Sequence, residues 1–202
     1  MKALSEIDTT AKRASRAAGF PWGIAEEIGK NIRLLEMFGL PGIKNLNQYL
    51  KIYKNQKFQN ISLIAKSNIS KIPYCPIIAG VSFLDQVIIM EELDEINFEN
   101  VSFPILFMPF LSRASEIIGK KILLKIDNKE FLFNFNQSIY SNYSNKEIWE
   151  KSNKINIKFL ENKNLFNENE WQELYKLSEK IFVEETEELK LKGAGAGTID
   201  ND

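Results

Sequence analysis

The run Ala17-Ala18-Gly19-Phe20-Pro21-Trp22-Gly23-Ile24-Ala25-Glu26-Glu27-Ile28-Gly29 constrains this chain more than any other, because it stops one helix and starts the next within a few residues. A glycine just past a helix end takes the left-handed conformation without a Cβ penalty, so Gly19 reads as a stop with positive φ. A proline suits the first turn of a helix, where its missing N–H costs nothing, so Pro21 reads as a start. The joint between them is short and stiff, and Trp22 stands on it. A tryptophan buries a large area and needs a partner for its indole N–H when buried. Two readings follow. Either Trp22 wedges two helices at a fixed angle, or Trp22, Glu26 and Glu27 line a binding pocket at a helix start. The helix dipole favours acids in a first turn in either case.

The neighbouring pattern extends these helices. Ser5-Glu6-Ile7-Asp8 reads as a capped start with Ser5 as N-cap, followed by Ile7, Ala11, Ala14 and Ala18 at helical spacing. Small residues on that face allow a close helix approach, while Arg13 and Arg16 face solvent. The second helix is expected from Pro21 to Phe38, with Ile24, Ile28, Ile32 and Leu35 as its apolar stripe and Glu26–Lys30 as an i,i+4 pair. Gly39 and Pro41-Gly42 turn the chain into a third helix over Ile43 to Tyr53.

From Lys57 the texture changes. Phe58 to Ile64 and Gln86 to Met90 read as strands by their β-branched and aromatic content. Pro76 opens a short helix between them. Val101 to Leu111 is a buried strand or a loop pressed into the core, and Ser112 to Ile118 a short helix closed by Gly119. Ile122, Leu124 and Ile126, a turn at Asp127-Asn128, then Phe131, Phe133 and Phe135 spell a β-hairpin. Ile155, Ile157 and Phe159 add a strand to the same sheet, with a polar loop from Asn136 to Asn153 before it. Glu168 to Phe182 presents Trp171, Leu174, Leu177 and Ile181 on one helical face. The expected architecture is a single α+β domain over 1–202. It has a helical lobe over 1–54, a body over 55–182 with a small, mostly antiparallel sheet, and an acidic, then Gly-rich, tail over 183–202.

Composition narrows the chemistry. The chain has no histidine, which removes Ser-His-Asp and Cys-His nucleophilic systems and histidine-ligated metal sites. A single cysteine removes an internal disulfide and any Cys-cluster metal site, and fits a reducing compartment. A net charge of −1 gives no global basic field for nucleic-acid phosphates. The start lacks the apolar core of a signal peptide, and Val101 to Leu111 falls far short of the roughly 20 residues a membrane span needs. The expected location is the cytoplasm, without a membrane; the cofactor, if any, is unknown.

Three constellations invite a functional reading. With Pro76 as first helical residue, Cys75 is the N-cap, where the helix dipole lowers a thiol pKa and makes it a candidate catalytic nucleophile. A buried, inert core thiol is the alternative. Gly193-Ala194-Gly195-Ala196-Gly197 looks superficially like a phosphate loop, but such loops need a preceding strand and a following helix, and that reading is set aside. The segment is either a tail free in solvent or one that orders in a site or partner groove. In that second reading Gly193, Gly195 and Gly197 permit close backbone approach, and Asp200 and Asp202 offer oxygens. The acid run Glu184-Glu185-Thr186-Glu187-Glu188 is a solvated face or a contact for a basic partner, and Phe103, Phe107 and Phe110 are core or the border of an exposed apolar patch.

The segment from Ser5 to Gly42, with Gly-Phe-Pro-Trp-Gly, Ala-Glu-Glu-Ile-Gly and Gly-Leu-Pro-Gly, resembles the opening of a bacterial family catalogued only as a domain of unknown function, number 3726 in that series. Tyr74-Cys75-Pro76 through Ala79-Gly80, and the tail from Thr186 through Gly197 to Asp200-Asn201-Asp202, look similar to the same family. The resemblance implies no assigned activity and transfers no catalytic residue. Two functional classes stay open. One is an accessory or interaction protein acting with another polypeptide, as a protein partner or as a homo-oligomer. The other is a small-molecule enzyme using Cys75 or a carboxylate pair without histidine.

Overall fold

The computed structural model describes residues 2–141 and 147–181, and the chain divides into two compact units, Met1–Asn162 and Lys163–Asp202. Three helices open the first unit: α1 (Leu4–Ala17), α2 (Trp22–Met37) and α3 (Gly42–Tyr53). The α1 start lies two residues earlier than a Ser5 cap predicts. Ala3 occupies the cap position with no side-chain hydrogen bond, so the Ser5 cap does not form. The α1 and α2 helices run antiparallel and close together. A side chain at Gly29 would meet Asp8 Oδ1 at 2.6 Å and the Asp8 carbonyl at 2.8 Å. Both α1 and α2 end in the same device. Phe20 N–H donates to the Ser15 carbonyl and Gly19 N–H to that of Arg16, while Leu40 N–H donates to Leu35 and Gly39 N–H to Glu36. Gly19 and Gly39 have φ of +110° and +70°, as this pattern of carbonyl satisfaction requires.

The rest of this unit is a six-stranded sheet with helices against one face. The elements are β1 (Ser67–Asn68), α4 (Pro76–Met90), β2 (Glu95–Ser102), α5 (Met108–Ile118), β3 (Lys121–Ile126), β4 (Lys129–Asn134), β5 (Ser138–Ser141) and β6 (Lys151–Leu160). The strand order is β1-β2-β6-β3-β4-β5, antiparallel except for the parallel β1–β2 pair. The class is therefore α+β, with three helices at the N-terminus and a mostly antiparallel sheet. The predicted hairpin is β3–β4, turning at Asp127-Asn128, and the predicted third strand is β6 at the sheet centre.

Alternate residues of β2, β6, β3 and β4 point into the core: Ile96 and Phe98, Ile155 and Ile157, Ile122 and Leu124, Phe131 and Phe133. The helices meet them through rings. Phe83 of α4 stacks near Phe159, and Phe107 sits edge-on to both Phe83 and Phe98. At the α4–α5 crossing, Gly80 lies directly under the Phe110 ring. The opposite sheet face carries Glu95, Asn97, Lys154, Asn156, Lys158 and Lys125. There Glu95 accepts from Lys158 at 3.1 Å and from Asn97 at 3.3 Å.

Several expectations fail here. Gln86 to Met90 is the last part of α4, not a strand. Ile77, Gly80, Phe83, Val87 and Met90 are buried at helical spacing, and that burial outweighs the β-propensity of Val87-Ile88-Ile89. Phe58 to Ile64 forms only a single bridge, Gln59 to Tyr74. Val101 to Leu111 divides into the end of β2, a 3-10 turn at Pro104–Leu106 and the start of α5. Of the two readings of Phe103, Phe107 and Phe110, core holds and the border of an exposed patch does not, since all three are buried. The loop predicted over Asn136 to Asn153 contains β5 and the buried Trp149, whose backbone N–H donates to Asn45 Oδ1 at 2.9 Å.

The second unit contains α6 (Glu168–Ser178), followed by a 3-10 turn at Glu179–Ile181. Its capping box is complete, with Glu170 N–H donating to Asn167 Oδ1 and Asn167 N–H to the Glu170 carboxylate. Trp171, Leu174, Leu177 and Ile181 are exposed. Phe182, the acid run, and Gly193, Gly195, Gly197, Asp200 and Asp202 lie outside the described residues. Among the described residues no helix is long and apolar enough to cross a membrane.

Candidate functional site

The α1–α2 joint puts its two aromatics in opposite environments. Phe20, not Trp22, is the wedge: it is 1% exposed and stacks on Tyr53 of α3 at 4.3 Å between centroids. Pro21 takes the cap position of α2 and Trp22 is the first helical residue, 55% exposed. The expectation that Trp22 fixes the helix angle by burial fails for a geometric reason. The chain turns sharply at Gly19, so two residues only two apart cannot both enter the core. Phe20 follows the positive-φ residue directly and takes the inward position.

Trp22 is nonetheless held in place. The Arg16 guanidinium lies 5.4 Å and the Lys12 ammonium 5.9 Å from its ring centroid, both within range of a cation–π attraction. Arg16 also donates through one nitrogen to the Phe20 carbonyl at 3.1 Å, which ties the guanidinium to the backbone of the joint. Lys12 bonds Glu26 at 2.6 Å, and this hydrogen bond and charge hold the Glu26 carboxyl below the usual range.

The two glutamates part company. Glu26 turns to Lys12 of α1, whereas Glu27 pairs with Arg113 of α5 and accepts from Lys30 at 3.0 Å. Consecutive residues on a helix point about 100° apart, so Glu26 and Glu27 do not form a carboxylate pair. The predicted Glu26–Lys30 pair is replaced by Glu27–Lys30 at i,i+3.

Cys75 stands just before Pro76, and the Ala79 N–H donates to its carbonyl at 3.0 Å, so it caps α4 as its place in the sequence implies. The Ile78 N–H donates to Sγ at 3.4 Å. The expected lowering of the thiol pKa does not follow. Cys75 is 1% exposed, and burial pushes the thiol up despite hydrogen bonds from Tyr49, Ile78 and Ile77 that pull the other way. Tyr49 Oη lies 3.0 Å from Sγ, and burial likewise raises its hydroxyl far above the ordinary value. Phe58 and Phe103 pack on the Tyr49 ring. The thiol is sealed inside the core while Trp22 faces solvent, so the two do not share a site.

Arg16 is exposed, as its place on the helix implies, but sequence reasoning gave neither Arg16 nor Lys12 a role at Trp22. The available signal was their i,i+4 spacing at the end of α1, which puts both cations on one stripe above whatever follows the turn.

Residues 2–75 match the model of DUF3726, a protein of unknown function. The matched stretch holds the whole joint, Ala-Glu-Glu-Ile-Gly, Gly-Leu-Pro-Gly, Tyr49 and Cys75; Ala79-Gly80 and the Gly-rich tail fall outside it. No curated protein matches the chain. Among solved structures, a malate dehydrogenase from Pyrococcus horikoshii OT3 is similar at 9% identity and a TM-score of 0.46, over 68% of this chain and 48% of that one. The chain spans about half the length of that enzyme.

Proposed function

We propose that this chain is a bacterial, cytoplasmic accessory protein that works by binding another polypeptide, with Trp22 as an anchor of the contact. The observation that carries the reading is the presentation of Trp22: a large aromatic, more than half exposed, on a stiff joint, with its ring held by Arg16 and Lys12. Tryptophan and arginine are over-represented among the residues that dominate binding energy at protein interfaces. A side chain already fixed before binding also loses less conformational entropy on association. The catalytic alternative is weakened by the sealed Cys75 thiol and by the divergence of Glu26 and Glu27. The partner is either a different protein or a second copy of this chain.

The test is co-purification of the full chain from its native host, wild type beside Trp22→Ala, with mass spectrometry of what is retained and light scattering for self-association. A partner or an oligomer that is lost in Trp22→Ala, with an unchanged denaturation curve, supports the reading. Retention of the same partners and the same oligomeric state by Trp22→Ala refutes it.

A further inference from the structure

The ions around Trp22 are not balanced. Glu26 is committed to Lys12, and no other acid is bonded to either cation over the ring among the described residues. Arg16 carries five N–H donors in a planar fork, of which the Phe20 carbonyl takes a bond from one nitrogen. The end of α1 already favours a cation through the helix dipole, which accounts for an arginine in the last turn but not for its placement against an exposed tryptophan. Arg13, on the same helix, is exposed and adds charge of the same sign.

Resting on the reading that Trp22 anchors a polypeptide partner, we propose that Arg16 and Trp22 together recognise an acidic segment of that partner. A carboxylate of an Asp or Glu pairs with the remaining donors of the Arg16 fork, and a neighbouring aliphatic or aromatic side chain packs on the open part of the Trp22 ring. Charge complementarity selects this occupant. A basic segment would meet Arg16 and Arg13 with like charge, the Lys12 charge being met by Glu26. A purely apolar one would leave the guanidinium donors without acceptors when water is displaced. Arginine suits the role because its fork pairs with both oxygens of a carboxylate while its plane lies on an aromatic ring.

The experiment is selection from a displayed library of random peptides on the full-length protein, using wild type, Arg16→Glu, Arg16→Gln and Trp22→Ala. Affinities of the leading wild-type peptide are then read by tryptophan fluorescence or calorimetry. On the wild type, selected peptides should place Asp or Glu beside an aliphatic or aromatic residue. Binding of the leading peptide should fall on the order of tenfold or more in Arg16→Glu and in Trp22→Ala and weaken as salt rises. Arg16→Glu should turn the selection toward Lys and Arg. Arg16→Gln keeps a donor for the Phe20 carbonyl, so it separates loss of charge from loss of the joint. Failure to select any peptide, selection without acidic preference, or equal affinity for wild type and Arg16→Gln overturns the proposal. So does Arg16-dependent binding of a single-stranded oligonucleotide in place of acidic peptides. If co-purification still shows a partner that needs Trp22 while the acidic preference is absent, this inference fails and the partner reading stands.

Discussion

Replacing Gly80 by alanine tests how tightly α4 and α5 meet. Gly80 is the fifth residue of α4, and a Cβ built there would overlap the Phe110 ring through three of its carbons. Two effects oppose each other. Alanine is the better helix former by about 1 kcal/mol. Overpacking a well-filled core costs about 1–3 kcal/mol. The second wins here, because Phe110 is completely buried, so its ring has no solvent to swing into. Taking the upper end of the overpacking range, Gly80→Ala should lose about 2 kcal/mol net, or about 4–8 °C in melting temperature for a chain of this size. Urea denaturation followed by far-UV circular dichroism gives the number. The control is Gly23→Ala in α2, where a built Cβ meets nothing within 4 Å. There only the helix and unfolded-chain effects remain, and a gain of about 0.5 kcal/mol is expected. If Gly80→Ala proves as stable as the wild type while Gly23→Ala behaves as stated, the close crossing of α4 and α5 is not real.

Gly19→Val forces a β-branched residue to φ near +110° and should cost about 1 kcal/mol or more, seen as a lower urea midpoint; an unchanged midpoint would contradict the geometry of the joint. Iodoacetamide should label Cys75 only as fast as the protein opens, so labelling that keeps pace with a free thiol would show that the core around Tyr49 is not closed. The same thiol predicts a pH trend. Burial raises its folded pKa above the unfolded value, so its stabilising contribution is complete below the ordinary thiol pKa of about 8.5 and is lost as pH rises from there toward the folded value. Between about pH 8.5 and 10, below the ordinary tyrosine range, stability should fall by up to about 1.4 kcal/mol per pH unit in the wild type and less steeply in Cys75→Ala. Equal slopes would rule out the buried thiol as the source.

The helices at the N-terminus were readable because glycine and proline punctuate them: Gly19, Pro21, Gly39 and Pro41 sit where the chain turns. The β3–β4 hairpin was readable because its alternation is strict and its turn is polar. The β2 strand was not seen. Its Ile96 and Phe98 alternate as a strand should, but Glu92, Asp94, Glu95 and Glu99 around them give the stretch the texture of a loop. The α4 helix was cut short because Val87-Ile88-Ile89 has strand propensity, and only packing against the sheet decides otherwise. At the site, the cap position of Cys75 follows from Pro76 alone, whereas the raised thiol pKa comes from burial in the folded core, which prevails over the lowering hydrogen bond that Tyr49 brings from 26 residues away. Which of Phe20 and Trp22 turns inward depends on a single positive φ, and hydrophobicity ranks the two residues too closely to reveal it.

The central position of β6 has a consequence for how the chain is made. In the order β1-β2-β6-β3-β4-β5, the strand that joins the two halves is the last of the six to leave the ribosome. The β3–β4 hairpin can close as soon as it is synthesised, since its partners are adjacent, but β2 and β3 each keep one edge open until Lys151–Leu160 arrives between them. At about 5–20 residues per second, the interval from the end of β3 to the end of β6 is roughly 2–7 s. Unpaired edges backed by an apolar face are templates for association between nascent chains. A chain held after Ser141 has emerged and before Lys151–Leu160 does would therefore leave two half-sheets with open edges, which makes translation speed across that interval a determinant of yield.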